Sequence, residues 1–240
     1  MFRQRGKNRT LIHNIRIAAL LSFVAGMVNI TGFLSVQTLT TNVTGHFAYF
    51  SEGVLIHDYH KARSYLLYIL FFLLGAITSG LLVETVNRKN SRFVYAIPAM
   101  FEIAILVSVG LLSHHFIIKN PEIIACSLLF AMGLQNALVT GISNSAVRTT
   151  HLTGLFTDMG IELSQLFFYR KPEQLKKLHA SITLRLVIIG FFFLGCFGGG
   201  YSYDKFEMLS LLLAAAVLVI GLFYDIMRVN ILNLFKKMFS

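Results

Sequence analysis

The 240-residue chain contains no tryptophan, two cysteines, three prolines and few charged residues, 13% of the total. Cys126 and Cys196 each lie within an apolar run and no CxxC pair is present, so neither a disulfide framework nor a structural metal site is expected. The sequence also lacks GxSxG, HExxH, GxxxxGK(S/T) and a GxGxxG motif that opens a helix after a strand. We therefore predict no metal, no cofactor and no enzymatic activity.

Apolar residues dominate the chain instead. They make up 55% of it, and the mean hydropathy is +0.68, which excludes an ordinary soluble domain. Six apolar runs approach the ~20 residues that a helix needs to cross a bilayer. The runs are residues 15–34, 64–86, 93–113, 123–142, 182–200 and 206–224. The sequence therefore predicts a single integral membrane domain over residues 1–240, an all-α polytopic transmembrane helical bundle with about six spanning helices and the lipid bilayer as a partner.

Basic residues outnumber acidic ones by 21 to 11 and give a formal net charge of +10. Most of them lie between and beside the apolar runs rather than on one basic face. We interpret them as topology signals and lipid-headgroup contacts, not as a nucleic-acid site. Their distribution favours six spans with both termini in the cytoplasm, although eight spans fit the charge bias almost as well.

Two polar stretches with similar sequences interrupt the apolar pattern, one after the first run and one after the fourth. Matched residues lie at slowly growing offsets: 107 for Asn29 and Asn136, 109 for Thr44 and Thr153, and 120 for Gly75 and Gly195. We therefore predict two structural repeats, over residues 11–113 and 122–226. Three spans in each repeat would make the repeats inverted, whereas four would make them parallel.

A short apolar helix follows each polar stretch, over residues 45–57 and 154–169. At ~1.5 Å per residue these helices reach only ~20 to 24 Å, less than the hydrocarbon core. They are predicted to be re-entrant or half-helices that enter and leave the membrane on the same side.

Each short helix opens with glycine after a run of hydroxyl and amide residues. The free N–H groups of its first turn then point toward the polar stretch, where they can bind an anion, a carboxylate or a polar solute. Simple capping by Thr44 and Thr153 explains the pattern equally well. The predicted substrate-binding or pore-lining residues, including amides on the preceding helices, are Asn29, Asn42, Thr44, His46, Gln135, Asn136, His151 and Thr153.

Three carboxylates lie on the short helices. Glu52 is on the first, and Asp158 and Glu162 share one face of the second, four residues apart. Because a carboxylate at membrane depth needs a cation, water or a proton, these residues are candidates for proton or cation coupling. The alternative is an interfacial acid that pairs with a nearby basic residue, Arg148, Arg170 or Lys171.

Glu102 is a fourth carboxylate, midway along the third apolar run and without an acidic counterpart in the sixth. Arg185, early in the fifth run, is a possible partner for it. Arg185 can also snorkel to the membrane surface.

The run 131–137 (Ala-Met-Gly-Leu-Gln-Asn-Ala), followed by 150–154 (Thr-His-Leu-Thr-Gly) and matched by 42–45 (Asn-Val-Thr-Gly), resembles the YoaK family. These are bacterial inner-membrane proteins classed as a domain of unknown function. The resemblance covers nearly the whole chain and implies a multi-pass protein of the bacterial cytoplasmic membrane with a permease-like role. The chain departs from the family at Asn29, where an acid is usual, and at His46 and Leu155, where asparagine is usual.

Three functions fit these observations. The first is a small-solute permease, a secondary transporter with its site at the interface of the repeats, for an unknown solute or ion. The second is a passive channel with an aquaporin-like plan of three spans twice, although the Asn-Pro-Ala signature is absent. The third is a non-transporting membrane scaffold. A homo-oligomer is compatible with each of them.

Overall fold

The computed structural model describes residues 10–89 and 94–238, with side chains described up to residue 224 except that of Lys89. All regular structure in these ranges is helical. The helices are α1 (Leu11–Val36), α2 (Val43–Leu55), α3 (Tyr59–Lys89), α4 (Ala96–Gly110), α5 (His114–Lys119), α6 (Pro121–Ser143), α7 (Leu152–Gln165), α8 (Pro172–Phe206) and α9 (Ser210–Met238). The basic residues that precede α1, and Arg92, lie outside the described residues, so the predicted charge asymmetry stays a prediction.

Within the described residues, four helical stretches are long and apolar enough to cross a membrane. They are Leu11–Val36, Tyr59–Arg88, Pro121–Ser143 and Pro172–Tyr224, the last being α8 and much of α9 taken together. α4 is apolar but only 15 residues long. The predicted all-helical class with several long apolar helices is thereby confirmed.

The boundary between the fifth and sixth apolar runs is predicted to lie between residues 200 and 206, but the structure places it at Glu207. α8 continues through the polar residues after Gly200, because those residues are satisfied inside the helix: the Ser202 hydroxyl donates to the Gly198 carbonyl at 2.7 Å, and the Lys205 ammonium lies 4.4 Å from the Tyr201 ring centre. The chain turns only at Glu207, where φ is 49° and a 3-10 turn begins.

α1 packs along α8 in backbone contact. A Cβ atom at Gly26 would lie 2.1 Å from the Phe192 carbonyl oxygen, and one at Gly195 would lie 2.0 Å from the Phe23 carbonyl oxygen. No side chain fits at either position. Small residues permit this close approach of apolar helices, which have no hydrophobic force between them in lipid.

α3 packs along α6 in the same way. A Cβ atom at Gly133 would lie 2.0 Å from the Phe72 carbonyl oxygen, and one at Gly75 would lie 2.0 Å from that of Phe130. All four residues match those of the α1–α8 contact at sequence offsets of 107 or 120: Gly26 with Gly133, Phe23 with Phe130, Gly75 with Gly195 and Phe72 with Phe192.

These contacts fix the relative directions of the helices. Along α1 and α8, Phe23 meets Gly195 and Met27 meets Gly199, so the two helices run parallel. α3 and α6 are also parallel, since Tyr68 clusters with Ala125 whereas Gly75, further along α3, meets Phe130 and Leu134 further along α6.

α1 and α6 run antiparallel. Gly32, near the end of α1, lies against Leu128 near the start of α6. Earlier on α1, the Leu21 carbonyl accepts a hydrogen bond of 2.8 Å from the Gln135 side-chain amide, later on α6. α4 completes the core by packing mainly against α6 and α9, both from the second half of the chain.

Candidate functional site

Two polar breaks follow α1 and α6, at residues 37–42 and 144–151. Both begin with a left-handed residue that ends the preceding helix, Gln37 with φ 54° and Asn144 with φ 52°. The N–H of Gln37 donates to the Phe33 carbonyl and that of Asn144 to the Thr140 carbonyl. The two helix-ending residues are themselves 107 positions apart, like the residues of the glycine contacts.

An amide on the preceding helix holds each break. The Asn29 side-chain oxygen accepts from the Thr41 backbone N–H at 3.2 Å and from the Thr41 hydroxyl at 2.9 Å. The Asn136 side-chain oxygen accepts from the Thr150 hydroxyl at 2.7 Å. The chain after each helix is thus tied back to the helix that it has just left.

This tie brings each break deep into the bundle. Asn29 lies seven residues before the end of α1 at Val36, and Asn136 seven before the end of α6 at Ser143 (36 − 29 = 143 − 136 = 7). At ~1.5 Å per residue each break turns back by about 10 Å, to within ~8 Å of the midpoint of its helix. Because α1 and α6 are antiparallel, the two breaks enter from opposite ends of the pair.

Each break also carries a fully buried threonine. Thr40 and Thr149 are both 0% exposed, and neither hydroxyl has a hydrogen-bond partner among the described residues. An unpaired buried hydroxyl costs free energy unless water or a ligand supplies its partner. Each break therefore places one unpaired hydroxyl inside the bundle.

In the first half, the beginning of the short helix is capped and closed. The Asn42 side chain, not Thr44, is the cap and accepts from the Gly45 N–H at 3.0 Å. His46 is buried, and one of its ring nitrogens (Nε2) lies 2.9 Å from the Leu39 carbonyl. Burial lowers the pKa of His46, and the hydrogen bond to the Leu39 carbonyl opposes that shift in part. The predicted capping role of Thr44 is wrong, because α2 begins two residues before Gly45 and Thr44 lies inside it.

Tyrosine rings fill the space beside His46. The rings of Tyr49 and Tyr65 stack with their centres 4.8 Å apart, and Tyr65 meets Tyr68 edge-on at 5.5 Å. The His46 ring lies 5.7 Å from Tyr65 and 5.5 Å from Tyr68. This aromatic cluster closes the first break against α3.

In the second half, the same place is an open polar cavity of about 490 Å³. Its lining includes Ser145, Arg148, His151, Asp158, Ser181 and Arg185. His151 occupies the cap position of α7 and makes no capping hydrogen bond. The predicted capping role of Thr153 is wrong, because Thr153 lies inside the helix, which begins at Leu152. The His151 ring lies over Gly154 in the first turn of α7, where an added Cβ would come within 2.2 Å of its Nε2 atom.

A partly exposed ion pair contributes to the lining of this cavity. The Arg185 guanidinium donates to the Asp158 carboxylate at 2.8 Å and to the Glu162 carboxylate at 2.8 and 2.9 Å. The Ser181 hydroxyl donates to Glu162 at 2.6 Å. Burial acts to raise the pKa of Glu162, but the bonds from Arg185 and Ser181 outweigh it and lower the pKa below its ordinary value. Arg185 is therefore the partner of these two acids and not of Glu102.

One pair of matched positions explains why only the second half is open. Gly53 on α2 lies against the backbone of Ala62 on α3, where an added Cβ would come within 2.8 Å of the Ala62 N atom. The residue 109 positions after Gly53 is Glu162, whose side chain reaches across to α8. Glycine lets α2 pack closely on α3, whereas α7 contacts α8 at this position through the Glu162 side chain.

The remaining predicted residues have simple placements. Glu52 is exposed and pairs with Lys61 at 2.9 Å. Gln135 is buried, and its amide nitrogen links α6 to α1. Thr44 and Thr153 are both exposed on the short helices. The sequence did not point to the tyrosine cluster or to Arg185 as the partner of the α7 acids, because each depends on how a short helix packs against the long helix that follows it.

A family model described as a protein of unknown function (DUF1275) matches residues 17–224. The chain belongs to this family. Its residues 17–224 include both polar breaks and both glycine contacts. The predicted membership of an uncharacterised family is thereby confirmed, whereas the finer YoaK name stays a prediction. No curated protein and no solved structure matches the chain.

Proposed function

We propose that the chain is a small-solute permease of the bacterial cytoplasmic membrane, with six spans arranged as two inverted repeats and both termini in the cytoplasm. The solute site lies between the two polar breaks. The observation that carries the proposal is that both breaks fold back toward the helix midpoints from opposite ends, each with a buried, unpartnered threonine hydroxyl. Irregular backbone at membrane depth is tolerated where it lines a cavity.

The helix directions support six spans. α8 is parallel to α1, α6 is antiparallel to it, and α3 is parallel to α6. α1 and α3 therefore cross in opposite senses, which leaves α2 no net crossing, and α6 and α8 leave α7 none. Three crossings in each half make an inverted pair, the arrangement in which transporters place their sites at the repeat interface.

The cavity in the second half supports a polar solute that carries an acidic group. Arg148 lines it and takes part in none of the ion pairs found among the described residues, while Arg185 is already neutralised by two acids. The uncapped start of α7 adds N–H donors at the positive end of the helix dipole. The formal charges of Arg148, Arg185, Asp158 and Glu162 cancel, and Arg148 is the cation among them that has no acidic partner in the described residues.

Uptake into proteoliposomes tests the proposal, with labelled small carboxylates, amino acids and neutral polyols as probes. We expect saturable uptake of at least one acidic probe and its loss in Asn136→Leu, because Thr150 then has no amide to hold the break. Thr157→Val is the matched control, since the Thr157 hydroxyl is exposed and bonds only within α7. Preserved uptake in a correctly inserted Asn136→Leu protein would remove that residue from the site.

A passive channel is the second candidate, because breaks that enter from opposite ends also suit a continuous pore. Flux that rises linearly with concentration and ignores a pH gradient would favour it over the permease. Liposomes that move none of the probes, together with a fixed partner in purified preparations, would favour the scaffold instead.

A further inference from the structure

Glu102 lies midway along α4 and is fully buried, yet neither of its carboxyl oxygens has a hydrogen-bond partner among the described residues. Ala99 and Leu106, on the same face of the helix, are also 0% exposed. Glu102 therefore interrupts an apolar stripe. An ionised carboxylate left alone in such a place costs far more free energy than a protonated one.

The other acids considered for coupling have cations beside them. Glu52 pairs with Lys61, and Arg185 binds both Asp158 and Glu162. A cation beside a carboxylate favours its ionised form and so opposes proton binding. Glu102 has no such cation among the described side chains.

Among the described side chains, none pairs with the Glu102 carboxyl group. The elements packed against α4 carry charged and titratable side chains, among them Glu84 and Arg88 near the end of α3, Glu122 and Cys126 in α6, Glu207 in the 3-10 turn, and Tyr224 in α9. None of them hydrogen-bonds to Glu102.

α4 itself packs mainly against the second half, through α6 and α9, and only little against α3 of its own half. A movement of one half against the other therefore changes the surroundings of Glu102. We propose that Glu102 is a proton-carrying site: its carboxyl group holds a proton while α4 is packed, and transfers that proton to water that enters when α4 separates from α6 and α9. The carboxylate and a hydronium ion result.

Coupling to solute movement rests on the permease function proposed above, but the proton site does not. An apolar carbodiimide tests the site in the full-length protein in lipid vesicles. A protonated carboxyl adds across the C=N bond to give an O-acylisourea, which rearranges to a stable N-acylurea that mass spectrometry locates. Met100 and Phe101 are exposed on the other side of α4, so the reagent reaches this helix from the lipid.

We expect labelling of Glu102 at neutral pH, complete loss of that label in Glu102→Gln, and unchanged labelling of the Glu102 peptide in Glu84→Gln, whose side chain is exposed. Infrared spectroscopy provides a second readout: the C=O band of a protonated carboxyl at neutral pH should disappear in Glu102→Gln. Absence of that band from the wild-type protein, or a band and label unaffected by Glu102→Gln, would overturn the proposal.

Uptake measurements distinguish the proton site at Glu102 from the permease function. If acidic probes are taken up, Glu102→Gln should abolish the response of uptake to a pH gradient and leave exchange without a gradient intact; a retained response would overturn the coupling role. If the wild-type protein moves no probe but Glu102 is labelled and shows its band, the proton site stands and the permease function fails.

Discussion

The two polar breaks are tied to their helices by the same kind of bond but differ in what surrounds them. In the first half, His46 and three tyrosines fill the space between α2 and α3. In the second, Arg185 and two acids border a cavity between α7 and α8. The positions that match Tyr49 and Tyr65 are Asp158 and Arg185, at offsets of 109 and 120.

The same backbone arrangement can therefore contain a break that aromatic side chains fill and a break that borders a polar cavity. The tie from Asn29 or Asn136 sets the depth of the break, and the contact between the short and the long helix sets its access. In an alternating-access permease the two breaks would exchange these roles. The predictions below separate the shared scaffold from the features that differ.

The largest effect is expected from the scaffold that the halves share. In Gly133→Ala the new Cβ would meet the Phe72 carbonyl oxygen at 2.0 Å, so α3 must move away from α6. We expect the free energy of unfolding to fall by about 3 kcal/mol, which is at the upper end of the cost of overpacking a protein interior. Thermal unfolding in detergent measures it.

Gly141→Ala, on the same helix, is the control, because a Cβ at Gly141 meets nothing within 4 Å. It should leave the melting temperature unchanged or raise it slightly, since alanine favours helix over glycine. Equal melting temperatures for the two variants would contradict the backbone contact between α3 and α6.

The ties of the two breaks should differ in strength. Thr150→Val removes the hydroxyl bond to Asn136, whereas Thr41→Val leaves the backbone bond from Thr41 to Asn29 in place. We expect Thr150→Val to lower the local protection of the second break by about 1 kcal/mol and Thr41→Val to lower that of the first by less. Hydrogen exchange over residues 37–42 and 144–151 measures both. A larger effect of Thr41→Val would reverse the comparison.

The halves should also respond differently to acid. The pKa of His46 in the folded protein is lower than its ordinary value of 6.5. As the pH falls below 6.5, the unfolded chain therefore binds a proton at His46 more readily than the folded protein does, and the first break loses stability. The pKa of Glu162 is lowered from 4.5, so its ion pair stays intact above pH 4.5 and is lost only as the pH falls through the lower folded value. Hydrogen exchange between pH 6.5 and 4.5 should therefore show α2 loosening while α7 does not. His46→Gln, which cannot titrate, should remove the response of α2.

The smallest effect is expected at the exposed pair of Glu52 and Lys61. Both side chains are in contact with solvent, which screens their attraction. Glu52→Gln, which removes the ion pair and keeps Lys61 at 5.6 Å from the centre of the Tyr49 ring, should leave the melting temperature and the protection of α2 unchanged within error. A clear loss would show that this pair, and not the aromatic cluster, holds α2 on α3.

Much of the fold follows from the sequence alone. The apolar runs locate α1, α3, α4 and α6 to within about five residues at each end, because a bilayer-length helix is mostly apolar. α8 begins ten residues before its apolar run, at Pro172, because its first turns are polar. The amides Asn29 and Asn136 were identified because polar side chains are costly inside such helices. The turn at Glu207 and the small helix α5 were not predicted, since neither interrupts an apolar run in a distinctive way.

The surroundings of the breaks could not be predicted, because they depend on residues brought together by packing. Arg185 is 23 positions from Glu162 and was a possible partner of Glu102 instead. Only the position of α7 beside α8 decides between these acids. The packing role of Gly53 likewise becomes apparent only in the structure, where the backbone of Ala62 lies against it.

The sidedness of two residues tests the central claim, that the short helices do not cross the membrane and begin from opposite ends of the bundle. Tyr59 and Phe168 follow α2 and α7 and are 65% and 80% exposed. Each would be replaced by cysteine in a background without Cys126 and Cys196, and labelled with a membrane-impermeant maleimide in intact cells. The account predicts that Tyr59→Cys is labelled from outside and Phe168→Cys only after the cells are opened. Labelling of both from the same side would contradict it and establish eight spans in place of six.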